Sequence, residues 1–289
     1  MRVAVTTMGC IASDLSVIIV SWNTAGLLET CLHSVRRSAT GLGCEVIVVD
    51  NGSSDGSVEM VMQRFPEVIL IANETNIGYA RANNQGLSRA SGRCVLLLNS
   101  DTEVTEGALG TLLAYMEGHP RVGAVGPRLV RPDGTVQQSC DLFPLRPWEM
   151  AWERVVDRLW PQNTVTRQAR MTRWDLTQPL AVDWLVGAAL LVRREVIAGV
   201  GGLDERFWMY AEDLEWCYRM RRAGWEVHYL PHATVYHRQR GSSELTPELT
   251  QQLGRQREES LVLFYRKHYG AAAALGLQLV HAWKRWRKG

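Results

Sequence analysis

Residues 15–50 read LSVIIVSWNTAGLLETCLHSVRRSATGLGCEVIVVD, and the fold class can be inferred from this stretch. It opens with an unbroken apolar, β-branched run, Leu15–Ser21, which is typical of a strand covered on both faces in a parallel sheet. Apolar residues then recur at three-and-four spacing across Ala25–Arg37, which predicts an amphipathic helix. A second apolar run, Glu45–Val49, follows. Strand, helix and strand in this order predict a βαβ unit with a right-handed crossover.

The same alternation continues along the chain. The next predicted elements are helix Ser57–Phe65, strand Val68–Ala72, helix Tyr79–Ala90, strand Cys94–Leu98, helix Gly107–Gly118 and strand Val122–Val125. This order predicts the α/β class, with a Rossmann-like, doubly wound, mostly parallel sheet. Arg128–Trp174, rich in Pro, Arg and Trp, shows no consistent period. Beyond it we predict an apolar run at Trp184–Val192, a helix at Leu214–Ala223, a strand at Val227–Leu230 and a helical tail from Pro247.

Composition and charge narrow the class of protein. The chain has 289 residues, 46% hydrophobic and 21% charged, as in a globular protein with a sizeable core. Residues 255–289 carry eight Lys/Arg against two Glu, a local +6, which leaves −4 for the rest of a chain whose net charge is +2. Such asymmetry indicates an anionic partner, either membrane or nucleic acid. The six scattered cysteines, without a C-x-x-C pair, favour a reducing compartment, and neither a signal peptide nor a spanning apolar run is expected.

Polar residues follow four successive predicted strands. These segments are SWN at 21–23, DNGSSDG at 50–56, NETNIG at 73–78 and NSD at 99–101. In an open α/β sheet, ligands bind outside the carboxyl ends of the strands. Asn, Asp, Ser and Gly also favour turns for backbone reasons, so a turn is the better explanation of any single strand end. Acidic residues on several ends together indicate a binding site along this edge.

Six motifs in a fixed order carry a family resemblance. They are LSVIIVSWN at 15–23, VVDNGSSDGS at 48–57, NIGYARANNQG at 76–86, LLLNSDTEV at 96–104, VGGLDERFWMYAEDLEWCYRMRRAGW at 200–225 and HATVYHRQRGSS at 232–243. The set resembles the inverting family 2 glycosyltransferases of the GT-A fold, and within them the bacterial rhamnosyltransferase-like branch. Each motif alone is weak, whereas the ordered set is specific. The resemblance implies an enzyme that transfers a sugar from a nucleotide diphosphate to an acceptor hydroxyl.

The resemblance implies a nucleotide site at the first four strand ends. In relatives, a carboxylate at the position of Asp50 accepts the imide N–H of uracil or thymine, and an aromatic ring at the position of Trp22 stacks on the base. The further implied nucleotide contacts are Ser21, Asn23, Asn76, Gly78 and Ser100. Alternatively, Asp50 forms a turn or helix cap, Trp22 is a core residue, and Gly78 only permits a close turn.

The family's Asp-x-Asp metal motif aligns with residues 99–101, where Asn99 replaces the first carboxylate. Asp101 is the implied ligand of a divalent cation, Mg²⁺ or Mn²⁺, which acts as a Lewis acid on the diphosphate. With fewer protein charges the ion keeps more waters and relies on the diphosphate. His237 matches a late family histidine that completes the metal shell, although a lone histidine is often structural.

The resemblance places the catalytic base in a Glu-Asp pair. Inversion needs a base on the face opposite the leaving diphosphate, and Asp213 of Glu212-Asp213 holds this position. The pair begins a predicted helix, whose N-terminus favours an ionised carboxylate. Alternatively, both acids are present only because negative charge at a helix N-terminus stabilises the helix. Upstream, WLVGA at 184–188 resembles an acceptor-side loop, although a core strand explains it too. Its implied acceptor contacts are Trp184, Gly187 and Ala188.

The C-terminal residues combine apolar and basic side chains. Between Ser260 and Trp286, apolar patches alternate with Lys and Arg, and Trp283 lies near the end. This pattern is typical of a helix lying in the plane of an anionic membrane, and it equally fits a helix packed on the protein or in an oligomer. We expect a cytoplasmic protein, peripheral on the membrane. Its expected parts are an N-terminal extension (1–14), a GT-A catalytic domain (15–246, nucleotide half 15–126, acceptor half 127–246) and a basic amphipathic helical tail (247–289).

Several functions compete for this sequence. The leading one is a metal-dependent inverting transferase with dTDP-L-rhamnose as donor, a UDP-sugar as second choice, and a saccharide or polyprenyl-linked saccharide as acceptor. A nucleotidyltransferase is disfavoured because WNT at 22–24, rather than a Gly-rich basic loop, follows the first strand. A sugar-nucleotide-binding pseudo-transferase or membrane scaffold would have lost the base or the metal carboxylate, whereas Asp101 and Asp213 are both present. Nucleic-acid binding is not expected, because the basic residues of the tail are interleaved with apolar runs.

Overall fold

The computed structural model describes residues 13–159, 175–238 and 247–287. The strands are β1 (Leu15–Ser21), β2 (Cys44–Asp50), β3 (Ile69–Ala72), β4 (Cys94–Asn99), β5 (Thr102–Val104), β6 (Val122–Val130), β7 (Val136–Gln137), β8 (Cys140–Asp141), β9 (Leu180–Val182), β10 (Trp184–Leu185), β11 (Ala189–Arg193) and β12 (Glu226–His237). The helices are α1 (Ala25–Ser38), α2 (Ser57–Arg64), α3 (Tyr79–Arg89), α4 (Ala108–Gly118), α5 (Pro147–Leu159), α6 (Arg194–Val200), α7 (Glu212–Arg222), α8 (Pro247–His268) and α9 (Ala271–Trp286). The described residues do not include residues 1–12, which belong to the expected N-terminal extension. They also do not include residues 239–246, which contain the end of the motif HATVYHRQRGSS.

The central sheet has the strand order β3-β2-β1-β4-β11-β6-β12-β5. β1 pairs in parallel with β2 and β4, and β2 pairs in parallel with β3, as the βαβ pattern predicts. β11 is antiparallel to both β4 and β6, whereas β12 is parallel to β6. The predicted mostly parallel α/β sheet of the GT-A type is therefore confirmed, with β11 inserted antiparallel near its centre.

Apolar layers cover both faces of the sheet. In β1, Val17 and Ile19 belong to the core that includes α1, α2 and α4, while Ile18 and Val20 belong to the core that includes α3, α6 and α7. Successive side chains of a strand point to opposite faces, so a strand covered on both sides has no polar face. This is why the first strand is continuously apolar.

The predicted apolar run Trp184–Val192 is divided between two sheets. β10 pairs with β8 in a separate two-stranded sheet, whereas β11 joins the central sheet. The chain crosses between them at Gly187 and Ala188, and the carbonyl of Ala188 accepts a hydrogen bond from Asn99 N at 3.0 Å. The crossing therefore brings Gly187 to the carboxyl end of β4.

The tail forms two helices. Gly270, at φ 90°, separates α8 from α9, and Arg285 of α9 pairs with Glu258 of α8, so the two helices run antiparallel. The apolar cluster that joins them to the rest of the protein contains Phe207, Leu214, Phe264, Tyr265, Ala273, Ala274 and Leu277. One face of the tail thus packs on the protein. Within the described residues, every helix is too short or too polar to cross a membrane.

Candidate active site

Strand pairing brings the polar strand ends together. Ser21 pairs with Asp50 of β2, and the residue before Ser21 pairs with Asn99 of β4. β12 also ends at this edge, because its last residue, His237, pairs with Thr102 of β5. One edge of the sheet therefore carries side chains from four strands that are distant in sequence.

Asp50 is buried at the end of β2, with 1% of its surface exposed. Its Oδ1 accepts a hydrogen bond from Ser53 N at 2.9 Å, which is the turn that the sequence allows. Its Oδ2 is also buried and has no hydrogen-bond partner among the described residues. An unpaired buried carboxylate oxygen costs free energy until a donor reaches it. Asp50 therefore serves a turn with one oxygen and leaves the other for a donor from outside the protein.

The loops after β1 and β2 hold each other in place. The side chain of Asn23, which adopts a left-handed backbone at φ 52°, accepts a hydrogen bond from Ser54 N at 2.8 Å. The neighbouring Trp22 is 37% exposed, so its ring is not a core side chain. Asn23 joins the two loops, and Trp22 lies at the surface beside them.

The hydroxyls of Ser21, Thr24 and Ser100 form a row of hydrogen bonds inside the protein. Ser21 Oγ lies 2.8 Å from Thr24 Oγ1, which in turn lies 3.0 Å from Ser100 Oγ. All three side chains are buried. These hydrogen bonds connect the end of β1 to the turn that carries Asp101.

Asn51, which sequence reasoning did not single out, organises the third loop. Its Nδ2 donates to Asn76 Oδ1 at 2.9 Å, and its Oδ1 accepts from Ile77 N at 3.1 Å. Asn76 Oδ1 also accepts from Gly78 N at 3.0 Å. Gly78 has φ 93°, and an added Cβ would lie 2.6 Å from the indole of Trp208. Glycine is therefore required here, because Trp208, from the loop before α7, packs directly on this backbone.

A hydrogen-bonded relay crosses the site. The Tyr79 hydroxyl lies 2.9 Å from Asn99 Oδ1 and 3.2 Å from the carbonyl of Gly187. Asn99 Nδ2 lies 3.4 Å from His237 Nε2, while Gly187 N donates to Asp213 Oδ2 at 2.8 Å. The relay connects the predicted base with a predicted metal ligand. Tyr79 and Asn99 lie between the predicted base and His237, and no local sequence pattern predicts their contacts.

Three carboxylates of the site raise the pKa of the Tyr79 hydroxyl. Burial raises the pKa of the Tyr79 hydroxyl, and the charges of Glu212, Asp213 and Asp101 raise this pKa further. Charges act appreciably at short range in a partly buried site. The predicted base pair and the predicted metal carboxylate therefore lie in one neighbourhood around Tyr79.

His237 and Asp101 lie side by side. Their Nε2 and Oδ1 atoms are 3.2 Å apart, and His237 Nδ1 lies 2.9 Å from Gln137 Oε1. When Tyr79 donates to Asn99 Oδ1, the Asn99 amide donates to His237 Nε2 and His237 Nδ1–H donates to Gln137. This assignment gives each ring nitrogen of His237 one hydrogen-bond partner.

A cation bound to His237 Nε2 would take the lone pair that otherwise accepts from Asn99, and Asp101 Oδ1, 3.2 Å away, would be its second protein ligand. The described part of the chain contains no cluster of three or more His, Cys, Asp or Glu that could hold a metal ion. The protein thus offers a two-residue donor set, to which a diphosphate and water would add the remaining oxygen ligands. This donor set suits a divalent cation that arrives with an anionic ligand.

Backbone strain marks the start of α7. Tyr210 and Ala211 adopt left-handed backbones, at φ 68° and 63°. Such strain costs about 1–3 kcal/mol per residue and clusters at functional sites. Directly after them, the Asp213 carboxylate accepts hydrogen bonds from two backbone N–H groups, at 2.8 and 2.7 Å. The strained turn therefore presents an acid with a fixed orientation.

The two acids of the pair differ in environment. Burial raises the pKa of Asp213, but two backbone N–H groups and the charge of Arg257 oppose this rise. Glu212 is 6% exposed, and its Oε2 has no hydrogen-bond partner among the described residues. Burial, and then repulsion by Asp213, hold the pKa of Glu212 well above its ordinary value. Burial raises the pKa of both acids, but hydrogen bonds and a nearby cation oppose the rise at Asp213.

We expect Glu212→Gln to stabilise the protein at alkaline pH. Because the folded-state pKa of Glu212 is raised, its stabilising contribution is present below the unfolded pKa, about 4.3, and is lost as pH rises through the folded value. The variant should therefore melt at a higher temperature than the wild type at pH 8 and at about the same temperature at pH 4. Glu59→Gln, at an exposed carboxylate of α2, is the control, and equal melting temperatures at both pH values would contradict the prediction.

The implied acceptor residues divide between core and site. Trp184 is half-buried and donates its indole N–H to the carbonyl of Leu142 at 3.0 Å. Ala188 is 1% exposed. An added Cβ on Gly187 would lie 3.3 Å from Asp213 Cβ. Of these three residues, Gly187 is the one that the structure places against the predicted base.

The tail also reaches the site. Glu215 of α7 is fully buried and accepts hydrogen bonds from Lys267 at 2.5 Å and His268 at 3.1 Å. Arg257 of α8 is exposed and close enough for its charge to lower the pKa of Asp213. The helix that carries the predicted base is therefore anchored by buried ionic contacts to a segment that the sequence marks only as a tail.

Comparisons with known proteins identify the family of the chain. The family model described as glycosyl transferase family 2 matches residues 16–172. The chain is 33% identical over 244 residues to the N-acetylglucosaminyl-diphospho-decaprenol L-rhamnosyltransferase of Mycobacterium tuberculosis, covering 81% of this chain and 78% of that protein.

Two solved structures share the fold. One is the mannosyltransferase PcManGT from Pyrobaculum calidifontis in complex with GDP-Man and Mn²⁺, with a TM-score of 0.59, 19% identity and coverage of 91% of this chain and 66% of that chain. The other is GalNAc-T7 with UDP, GalNAc and Mn²⁺, with a TM-score of 0.59, 19% identity and coverage of 89% and 51%. This chain therefore spans about half to two thirds of those chains.

Proposed function

This chain belongs to glycosyl transferase family 2, and we propose that it is an inverting enzyme that transfers L-rhamnose from dTDP-L-rhamnose to a hydroxyl of a lipid-linked saccharide. The observation that carries the proposal is the position of Tyr79, whose hydroxyl lies 2.9 Å from Asn99 Oδ1, next to His237, and 3.2 Å from the carbonyl of Gly187, whose N–H donates to Asp213. An inverting transfer needs a base beside the acceptor hydroxyl and a cation at the leaving diphosphate, on opposite sides of one anomeric carbon.

Asp50 is the proposed recognition group for the base. Its buried, unpaired Oδ2 suits the imide N–H of thymine or uracil, because a charged acceptor makes a strong hydrogen bond to such a donor. Trp22 is exposed beside it and offers a stacking surface. The loops at this edge of the sheet are held by contacts of Asn23, Asn76, Gly78, Ser21 and Ser100. Thymine and uracil present the same imide edge, so the preference for dTDP over UDP rests on the rhamnosyltransferase relative.

Asp101 and His237 are the proposed protein ligands of Mg²⁺ or Mn²⁺. The cation, when bound, supplies Lewis-acid neutralisation of the leaving diphosphate. Asn99, at the position of the family's first carboxylate, uses its amide to orient His237 and Tyr79 instead. The two solved neighbours that share the fold contain Mn²⁺.

Asp213 is the proposed base. Its two backbone hydrogen bonds orient the carboxylate and, with the nearby charge of Arg257, oppose the rise in pKa that burial causes, so that its ionised form can remove the proton of the acceptor hydroxyl as that oxygen attacks the sugar. Burial and repulsion by Asp213 raise the pKa of Glu212, which favours the protonated form of Glu212 beside the base. Gly187 lets the base approach the backbone closely, and Trp184 and Ala188 support this acceptor-side loop.

The acceptor is proposed to be a saccharide on a polyprenyl diphosphate, in the synthesis of a cell-surface glycan. This follows the substrate in the name of the mycobacterial relative. A lipid-linked acceptor requires the enzyme to meet a membrane, and the basic tail suits the anionic surface of its cytoplasmic face. In this proposal residues 15–126 bind the nucleotide, residues 127–246 bind the acceptor, and residues 247–289 form the tail.

Thermal unfolding with a panel of nucleotide sugars and Mg²⁺ tests this function. A ligand that binds only the folded state raises the melting temperature, so dTDP-L-rhamnose should raise it more than UDP- or GDP-sugars do. Asp50→Asn should abolish the shift with dTDP- and UDP-sugars, because the amide presents a donor where the imide N–H requires an acceptor. Asp55→Asn, on the same loop, is the matched control. A wild-type chain stabilised only by GDP-sugars would contradict the assignment of Asp50.

A further inference from the structure

Helix α5 carries an exposed apolar stripe. Trp148, Trp152, Val155 and Leu159 follow one another at intervals of four, three and four residues, which places them on one helix face. All four are exposed, Trp152 by 69% and Leu159 by 75%. Sequence reasoning could not place this segment, so the stripe is visible only in the structure.

Helix α9 carries a second stripe, on the face opposite to its packed side. Ala273, Ala274 and Leu277 are buried toward the protein, whereas the outer face carries large exposed side chains. These outer residues are Leu275, Leu279, Trp283 and Trp286. The outer residues are therefore not needed for the packing of the tail.

The two stripes adjoin. A Cβ on Gly276 of α9 would lie 3.1 Å from Pro147 Cγ at the start of α5, so the helices touch there. The Arg146 guanidinium lies over the rings of both Trp148 and Tyr269, at 5.4 Å from the latter, and Tyr269 lies just before α9. The two exposed stripes thus lie on helices that touch where α5 begins, and exposed apolar side chains grouped in this way mark interaction sites.

The charges beside this surface favour an anionic partner. Residues 271–287 contain no Asp or Glu, and Lys284, Arg285 and Arg287 are exposed at the end of α9. Arg287 stacks on the Trp283 ring at 4.9 Å. Trp rings with adjacent cations are typical of side chains at a membrane–water interface. α5 has three acidic and two basic residues, so electrostatic attraction comes from the α9 end.

We propose that α5 and α9 together form a two-helix platform that inserts its apolar stripes into the interface of an anionic lipid bilayer. The proposal deepens the proposed function, because it rests on a lipid-linked acceptor for its purpose. It differs from docking by the tail alone, since half of the inserted side chains come from α5.

The platform lies close to the proposed base. The inner side of α9 shares an apolar cluster with Phe207 and Leu214, and Leu214 directly follows Asp213. A helix with its side chains is about 10–12 Å across. The platform is therefore joined through one apolar cluster to the segment that carries the proposed base, and this connection would let the sugar of a lipid-anchored acceptor reach Asp213 while its chain stays in the membrane.

Flotation of the full chain with vesicles tests the platform. The wild-type protein should float with phosphatidylglycerol/phosphatidylcholine vesicles and much less with phosphatidylcholine alone. Trp152→Glu and Leu279→Glu should each weaken binding to the anionic vesicles by about tenfold or more, because each places a charge in the inserted face. Met62→Glu, at a side chain of α2 that is 66% exposed, is the matched control and should bind like the wild type.

Three outcomes would overturn the proposal. They are wild-type binding by Trp152→Glu, no flotation of the wild-type chain, and a dimer in solution that Trp152→Glu converts to a monomer without any vesicle binding. Trp152→Ser, which adds no charge, repeats the test if the glutamate variant does not fold. Rhamnose transfer to a short-chain, water-soluble acceptor is measured in parallel. Its absence together with Trp152-dependent flotation would contradict the proposed function and leave the platform standing.

Discussion

Asp213→Asn is expected to lower turnover by about 10²–10⁴-fold, the contribution of a positioned general base. The amide keeps the size of the side chain and still accepts a hydrogen bond from Gly187 N, but it cannot take the proton of the acceptor hydroxyl. Donor affinity should stay within about twofold of the wild type, since the proposed base-recognition group is Asp50. Initial rates and donor titrations on the same preparation measure both quantities.

The pH profile provides a second readout for Asp213. Burial raises its pKa, and the base acts only when ionised, so wild-type activity should rise with pH through a value above that of an ordinary aspartate. In Asp213→Asn this acid limb should disappear from the residual activity. Turnover close to the wild-type rate, with the limb intact, would remove Asp213 from the mechanism and leave Glu212 as the next candidate.

Removal of divalent cations is expected to abolish activity, and added Mg²⁺ or Mn²⁺ should restore it. Asp101→Asn should raise the metal concentration for half-maximal activity by more than roughly 100-fold, because it removes the only carboxylate among the two proposed ligands. Changes to residues that only contact a metal ligand typically cost about 10–100-fold. His237→Gln should act in the same direction. Binding of Mn²⁺ with dTDP, followed by electron paramagnetic resonance, checks the ligands without turnover.

Glu103→Gln is the matched control for Asp101. Glu103 lies two residues further along and pairs with Arg37 at 3.6 Å, so its loss should leave the metal dependence unchanged. Full activity in the presence of a chelator, or equal Mn²⁺ binding by Asp101→Asn and wild type, would exclude Asp101 as a ligand.

Much of the nucleotide half follows from local pattern. The apolar runs ending at Ser21 and Asp50 predict strands, and parallel strands place their carboxyl ends at one edge. The structure confirms both strands within one residue at either end. Asp50 also shows the limit of this reasoning, since a turn and a ligand site predict the same residue. Only the structure shows that Oδ1 of Asp50 accepts the hydrogen bond of the turn, whereas its Oδ2 is buried without a partner among the described residues.

The connections across the site do not follow from local pattern. Tyr79 and Gly187 are 108 residues apart, and their hydrogen bond exists because β11 enters the sheet antiparallel beside β4. An apolar run such as Trp184–Val192 reads the same whether it forms one strand or two. The role of Asn99 as a link between Tyr79 and His237, rather than a metal ligand, is visible only once these neighbours are in place.

Residue order alone accounts for the alternation of strands and helices, the polar strand ends and the acids at 50, 101 and 213, because these depend on the chemistry of residues close together in the chain. Three-dimensional packing establishes which of them meet, how the tail divides into a packed face and an exposed face, and that α5 lies beside α9. Such contacts depend on strand order and on the faces that helices present to their neighbours. Those are set by the packing of the whole chain, which residue spacing along a single segment does not encode.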